Sequence, residues 1–223
     1  MNLSLNQVEN TARKAVRGAG LPWCLAEDAG RAVRWLEMMG LPGTSWLLLV
    51  LASVGHRRTG ELLLRQQSGP VWRAAGGMAS PLVAGPSLVD AVHLHRDDGG
   101  FGLTLQGVVC PELCAGYLGV ASLQTGAPLA MSWARGDMRI LGDRVFVDDA
   151  QDVGATAETY DLAVRNGSRD PGRPGREFTG AAGSRRIDPR ILDMLETLAR
   201  RTYVESTEMS RLSGAGAGLS DTD

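Results

Sequence analysis

Apolar residues at helical spacing dominate the first quarter of the chain and commit it to packed helices. Leu5, Val8, Ala12, Ala15, Val16 and Ala19 recur every three or four residues, the stripe that an amphipathic helix buries. Ser4 and Gln7 form a capping box ahead of that stripe,, and Gly18 and Gly20 supply its stop,. Pro22 opens a second helix at its first turn, where the missing N–H costs nothing,. Leu25, Ala29, Val33, Leu36 and Met39 form the buried stripe of that helix, Gly40 ends it, and Glu27, Arg31 and Arg34 make a solvated face,. The third helix, Thr44 to Val54, is apolar nearly all round and is expected to be buried,. Residues 1–57 therefore read as all-helical.

From Glu61 the texture changes. Short strands are expected at Glu61 to Arg65 and Val71 to Ala74, separated by Ser68-Gly69-Pro70, and a buried strand at Phe101 to Val109,. Pro111 to Gln124 reads as a helix closed by Gly126,. Leu129 to Trp133, Met138 to Leu141 and Arg144 to Val147 read as strands joined by Arg135-Gly136-Asp137 and Gly142-Asp143 turns,. Two proline-led segments, Pro81 to Ala91 and Pro111 to Ala121, share Leu-x-Ala-Gly about 30 residues apart, as two related strand–helix units would,. Asn166 to Gly183 is a loop by composition, and Pro189 starts a last amphipathic helix through Ile191, Leu195, Leu198 and Ala199,. The expected fold is α/β (α+β): a helical N-terminal segment, a mixed β-sheet with packed helices, and a C-terminal helix. The chain is read as a single domain, helical over residues 1–57 and α/β over residues 58–165. A loop at 166–183 and a C-terminal helix with a glycine-rich tail at 184–223 complete it.

Charge and cysteine usage exclude several classes. A net charge of −2 and a pI near 5.9 lack the basic excess of a phosphate-binding surface, so no nucleic-acid partner is expected,. The longest apolar run, Trp46 to Ala52, is far short of the roughly 18 residues of a membrane span,. The N-terminus lacks a secretory pattern and Cys24, Cys110 and Cys114 make an odd set of thiols, so a cytoplasmic location is expected,. Lys14 is the only lysine, a bias of GC-rich bacterial coding.

Three constellations carry candidate chemistry. His93, His95 and Asp97 would share one face of an extended strand, an arrangement that suits a metal,. The segment resembles the His-x-His-x-Asp-His motif of metallo-β-lactamases, except that Asp98 replaces the third histidine and His56 is the only other histidine. A hairpin turning at Asp98-Gly99 is the plainer reading, and no metal is expected. Cys110 falls at a helix start, where the dipole can lower a thiol pKa, but no base is placed beside it; Cys110 and Cys114 read as small buried residues,. The Gly214 to Gly218 run is no phosphate loop, because a helix precedes it and none follows; it reads either as a loose terminus or as a segment docked in a groove,. Trp23, Trp35, Trp46, Trp72 and Trp133 are scattered and read as core or pocket walls,.

Two resemblances follow. Leu3 to Glu9, Ala15 to Gly20, Trp23, Ala26 to Gly30 and Arg34-Trp35-Leu36, with Arg201 to Arg211, Gly214 to Gly218 and Asp221-Thr222-Asp223, resemble an uncharacterised domain-of-unknown-function family found mainly in α-proteobacteria. That resemblance implies a defined C-terminal segment, and Thr202, Tyr203, Ser210, Arg211, Gly214, Gly216 and Gly218 are expected to line a small-ligand pocket. Arg211 would pair a carboxylate or phosphate. The first 45 residues, ending in Gly40-Leu41-Pro42-Gly43, also look like the N-terminus of the non-Rossmann malate/L-lactate dehydrogenases, with Thr44-Ser45-Trp46 where that family has Ser-His-Gly. The expected function is binding of a small anionic metabolite, or its catabolism, in a pocket near the C-terminal segment. The alternative is a non-catalytic subunit assembling with itself or with a partner protein. No catalytic set and no cofactor is assigned.

Overall fold

The computed structural model describes residues 1–55, 57–95, 101–147, 156–168 and 175–202. The N-terminal expectations are met closely. Strand β1 (Asn2–Ser4) leads into helix α1 (Leu5–Gly18) through the capping box, in which the Gln7 amide donates to Ser4 Oγ and the Ser4 amide donates to Gln7 Oε1. Helix α2 (Trp23–Met38) forms a helical hairpin with α1, and α3 (Gly43–Val54) packs against both. Gly40, at φ +77, reverses the chain between α2 and α3, a conformation that costs a glycine little,. A buried joint fixes α3 on α2. The Glu37 carboxylate, near the end of α2, accepts from the amide and hydroxyl of Thr44 at 2.9 and 2.8 Å.

A short helix α4 (Thr59–Leu62) follows, where a strand was expected from Glu61. Pairing with the next strand begins only at Leu64↔Ala74, so earlier residues have no partner and turn to bury Leu62. Strands β2 (Leu64–Ser68) and β3 (Val71–Ala74) pair as an antiparallel hairpin; β3 has the expected bounds, while β2 starts three residues later than expected and runs on to Ser68. Helix α5 (Pro81–Leu94) leads to β4 (Gly102–Val109), which lies parallel to β3. A single 3-10 turn (Pro111–Leu113), α6 (Cys114–Thr125) and β5 (Leu129–Trp133) come next. Strands β6 (Gly136–Leu141) and β7 (Arg144–Val147) follow as expected.

Strand β8 (Thr159–Asn166) inserts between β4 and β5, antiparallel to both, so β4 and β5 run parallel to each other. The two proline-led segments are thus the crossover helices of successive strand–helix–strand units, the connection that parallel strands require. Strand β9 (Arg176–Thr179) lies inside the stretch read as a loop, and pairs with β7. Strand β10 (Ser184–Arg186) pairs with β1, and α7 (Pro189–Arg200) packs on α1 and α3.

The main sheet runs β2-β3-β4-β8-β5-β6-β7-β9. Leu105, Leu162, Val164, Met131, Met138 and Val145 turn to the helices and are buried, while Thr104, Ala163, Arg165, Ser132 and Arg139 alternate to the other face. A largely antiparallel sheet leaves one face polar in this way. Helices α2, α5 and α6 meet over the apolar face. The contacts are close because three positions carry no side chain: a Cβ at Gly119 would lie 2.1 Å from the Trp35 ring, one at Gly85 2.4 Å from the Tyr117 ring, and one at Gly116 2.5 Å from the Ala32 carbonyl. No helix among the described residues is long and apolar enough to cross a membrane.

Candidate ligand cavity

Helix α5 carries small residues where it faces the edge of the sheet. Ala84, Ser87 and Ala91 recur at one-turn spacing on that side, and Leu88 lies beside them. These short side chains fill little of the space between the helix and β2, β3 and β4, where a cavity of about 560 Å³ remains. Leu64, Trp72, Leu103 and Leu105 form its sheet wall, the Gly69-Pro70 turn closes one end, and Leu94 and Phe101 border the other. This volume and lining are those of a small-molecule pocket: mostly apolar, with a few polar groups that would orient a ligand.

Four polar side chains reach the cavity: Gln66, Ser87, Asp90 and His95. Gln66 is fixed by donating through Nε2 to the Gly69 carbonyl at 2.6 Å. The His95 ring stacks on Phe101 with centroids 5.9 Å apart and planes 22° apart. Ser87, Asp90 and His95 are exposed and so sit at the mouth. The described lining residues include no lysine or arginine.

The metal reading of His93, His95 and Asp97 does not hold in its strand form. His93 lies in α5, with Nδ1 2.9 Å from the Val89 carbonyl one turn back, and His95 caps the same helix. Residues two apart on a helix point to different sides, so the shared face of a strand is lost. Asp97, and the Asp98-Gly99 turn of the hairpin reading, lie outside the described residues. Among the described residues no three His, Cys, Asp or Glu side chains come together to hold a metal ion.

Cys110 takes the one left-handed conformation found outside glycine among the described residues, with φ 46° and ψ 62°, at the sharp exit from β4. Burial pushes its thiol, and that of Cys114, far above the ordinary range, the reverse of an activated nucleophile,. Glu112 beside them is 6% exposed and one of its carboxyl oxygens has no hydrogen-bond partner. Burial raises its pKa, only partly offset by hydrogen bonds, including one from Cys110, and by the Arg135 charge.

Of the C-terminal ligand set, Thr202 alone is described; its hydroxyl donates to the Ala199 carbonyl at 2.7 Å. Tyr203, Ser210, Arg211, Gly214, Gly216 and Gly218 lie outside the described residues. The structure thus brings together polar groups that the sequence reading passed over. Ser87 and Asp90 were legible only as members of a helix. Their signal was the recurrence of small residues at Ala84, Ser87 and Ala91 opposite a tryptophan-bearing hairpin.

Fold and cavity together define an α/β protein with an open-mouthed, largely apolar pocket between a crossover helix and the edge of a mixed sheet. Residues 3–80 match the family described as a protein of unknown function, DUF3726, as the N-terminal portion of the family resemblance implied. The match names no activity, and the C-terminal portion of the resemblance lies beyond the matched residues. Among solved structures, a dehydrogenase from Sinorhizobium meliloti is 13% identical over 89% of this chain and 99% of that one, with a TM-score of 0.57. Malate dehydrogenase from Pyrococcus horikoshii OT3 is 10% identical over 66% of this chain, with a TM-score of 0.48. Sulfolactate dehydrogenase from Methanocaldococcus jannaschii is 12% identical over 68%, with a TM-score of 0.44. The chain spans about half the length of these last two proteins. At these identities the likeness to the Sinorhizobium protein is one of fold. No curated protein matches the chain. Where the dehydrogenase resemblance would place Ser-His-Gly, Thr44 is locked onto Glu37 and Trp46 is 2% exposed.

Proposed function

We propose that this protein binds a small, mostly apolar, ring-sized molecule in the cavity between α5 and strands β2 to β4. The observation that carries this reading is the 560 Å³ space bounded by Trp72, Leu88 and Leu105, with Asp90 and His95 at its mouth. A ligand with an apolar body and a hydrogen-bonding end would match that division. The fold likeness to a dehydrogenase from Sinorhizobium meliloti is compatible with a metabolic role.

An anionic ligand would need a cation that the described lining of this cavity does not supply. For such a ligand the proposed partner remains Arg211, with Thr202, Tyr203, Ser210, Gly214, Gly216 and Gly218 around it. A non-catalytic assembly subunit is the other reading. It is favoured by the apolar groove where α3 and α7 meet, with Leu48, Leu51 and Ala52 facing a Met194 that is 53% exposed.

A thermal-shift screen of cyclic metabolites and small carboxylates tests these readings on the full chain, on Ala91→Trp and on a chain ending at residue 202. A cyclic ligand that raises Tm in the full and shortened chains, but not in Ala91→Trp, is the expected result. Stabilisation by carboxylates only, lost on shortening the chain, would move the site to the C-terminal segment. A stable protein that no compound shifts, and that elutes as an oligomer, would favour assembly.

A further inference from the structure

On the opposite side of α5 lies a smaller crevice of about 220 Å³, where α2, α5 and α6 meet. Helix α2 contributes Asp28 and Arg31, α5 contributes Asp90, and α6 contributes Tyr117 and Gln124. Pro86, Val89 and Val120 supply apolar wall between them. The crevice is separate from the larger cavity except that Asp90 borders both.

Tyr117 is the unusual member. It is 1% exposed, and its hydroxyl is buried with no hydrogen-bond partner. Its ring cannot easily turn away, because it is packed flat against Gly85, where a Cβ would come within 2.4 Å of it. Native proteins rarely leave a buried hydroxyl unpaired, and such a group commonly marks a place where something else completes the bond. Burial first, then Cys114, then the nearby Asp28 charge keep the phenol protonated.

The charges around this hydroxyl select the sign of what could bind. Arg31 pairs with Asp28, Nη1 to Oδ1 at 2.9 Å, which offsets one carboxylate. Asp90 remains, so the charged side chains that line the crevice, Asp28, Arg31 and Asp90, leave one excess negative charge. One excess negative charge suits one positive charge. A divalent metal asks for six or more oxygen ligands and would face the Arg31 guanidinium, so it fits poorly. A quaternary ammonium offers no N–H to the tyrosine oxygen.

We propose that this crevice binds the ammonium group of a small primary amine, with Asp28 and Asp90 holding its charge and the Tyr117 hydroxyl accepting one of its N–H groups. The short apolar walls leave room for an alkyl stem of a few carbons.

Isothermal titration of the full chain with butylammonium chloride, sodium butanoate and butanol tests this directly. Butylammonium should bind, and the other two should not. Tyr117→Phe should weaken butylammonium about tenfold or more, the loss of one hydrogen bond to a charged group. Asp28→Asn, at a partly exposed position, should do the same and serves if Tyr117→Phe fails to fold. Ala91→Trp, which blocks the larger cavity, should leave amine binding unchanged. Absence of butylammonium binding at millimolar concentration, equal binding of butanoate, or full affinity in either Tyr117→Phe or Asp28→Asn would overturn the proposal.

Discussion

At Cys110 the chain leaves β4 with positive φ, a conformation that costs an L-residue about 1–2 kcal/mol and costs glycine little,. Cys110→Gly should therefore be at least as stable as Cys110→Ala, although alanine fills more of the buried site. Urea titration of the two variants checks this; alanine the more stable by about 1 kcal/mol or more would mean that the turn is unstrained. Two residues on, Glu112 carries a burial penalty when charged. Its folded-state pKa lies above the ordinary 4.5, so the folded protein keeps a proton that the unfolded chain releases. The stability from this group is complete below about 4.5 and is lost as pH rises through the raised value,. Glu112→Gln should thus flatten the fall in Tm between acid and neutral pH, while gaining nothing at about pH 4. Equal slopes for the two proteins would show that the carboxyl is solvated.

At the scale of elements, the N-terminal helices were legible because local signals and tertiary packing agree. The Ser4–Gln7 box, the Leu5 to Val16 stripe and the Gly40 reversal each specify one boundary without help from distant residues,. Ser4→Ala should cost about 1 kcal/mol of stability by removing the first-turn acceptor, measurable by denaturant melts. The helix contacts depend on absent side chains, so Gly119→Ala should cost about 2–3 kcal/mol by driving a methyl into Trp35; a loss below about 0.5 kcal/mol would contradict the packing described,. Where the reading failed, the deciding partner was distant in sequence. Strand β9 hides in a glycine-, proline- and arginine-rich stretch and exists because Phe178 pairs opposite Val145 on β7. The alternation of His93-Leu94-His95 suggests a strand at the end of α5, yet the helix continues through His93. Strand β8 was missed although Leu162 and Val164 alternate with polar neighbours at a spacing of two, a signal that was there to use,.

At the scale of the whole molecule, two cavities flank one helix, and neither was visible from motifs. A pocket is made by what side chains omit: Ala84, Ser87 and Ala91 matter because they are small, and their smallness has meaning only once Trp72 stands opposite. Cys110 and Cys114, read as small buried residues, are buried with their thiols held protonated, and Thr44 is fixed on Glu37. The third helix was expected to be buried, and Trp46, Leu47, Val50, Leu51 and Val54 are buried, with Leu48 and Ala52 bordering the groove beside α7.

The five tryptophans provide a direct test of the central claim, since each gives its own indole N–H resonance. Trp72 lines the proposed cavity, whereas Trp35 and Trp46 are buried elsewhere in the core. With Trp72 assigned through Trp72→Phe, a stabilising cyclic ligand titrated into nitrogen-15-labelled protein should shift that resonance and leave those of Trp35 and Trp46 in place. A ligand that stabilises the protein while the Trp72 signal stays still would show that the cavity between α5 and the sheet edge is not where it binds.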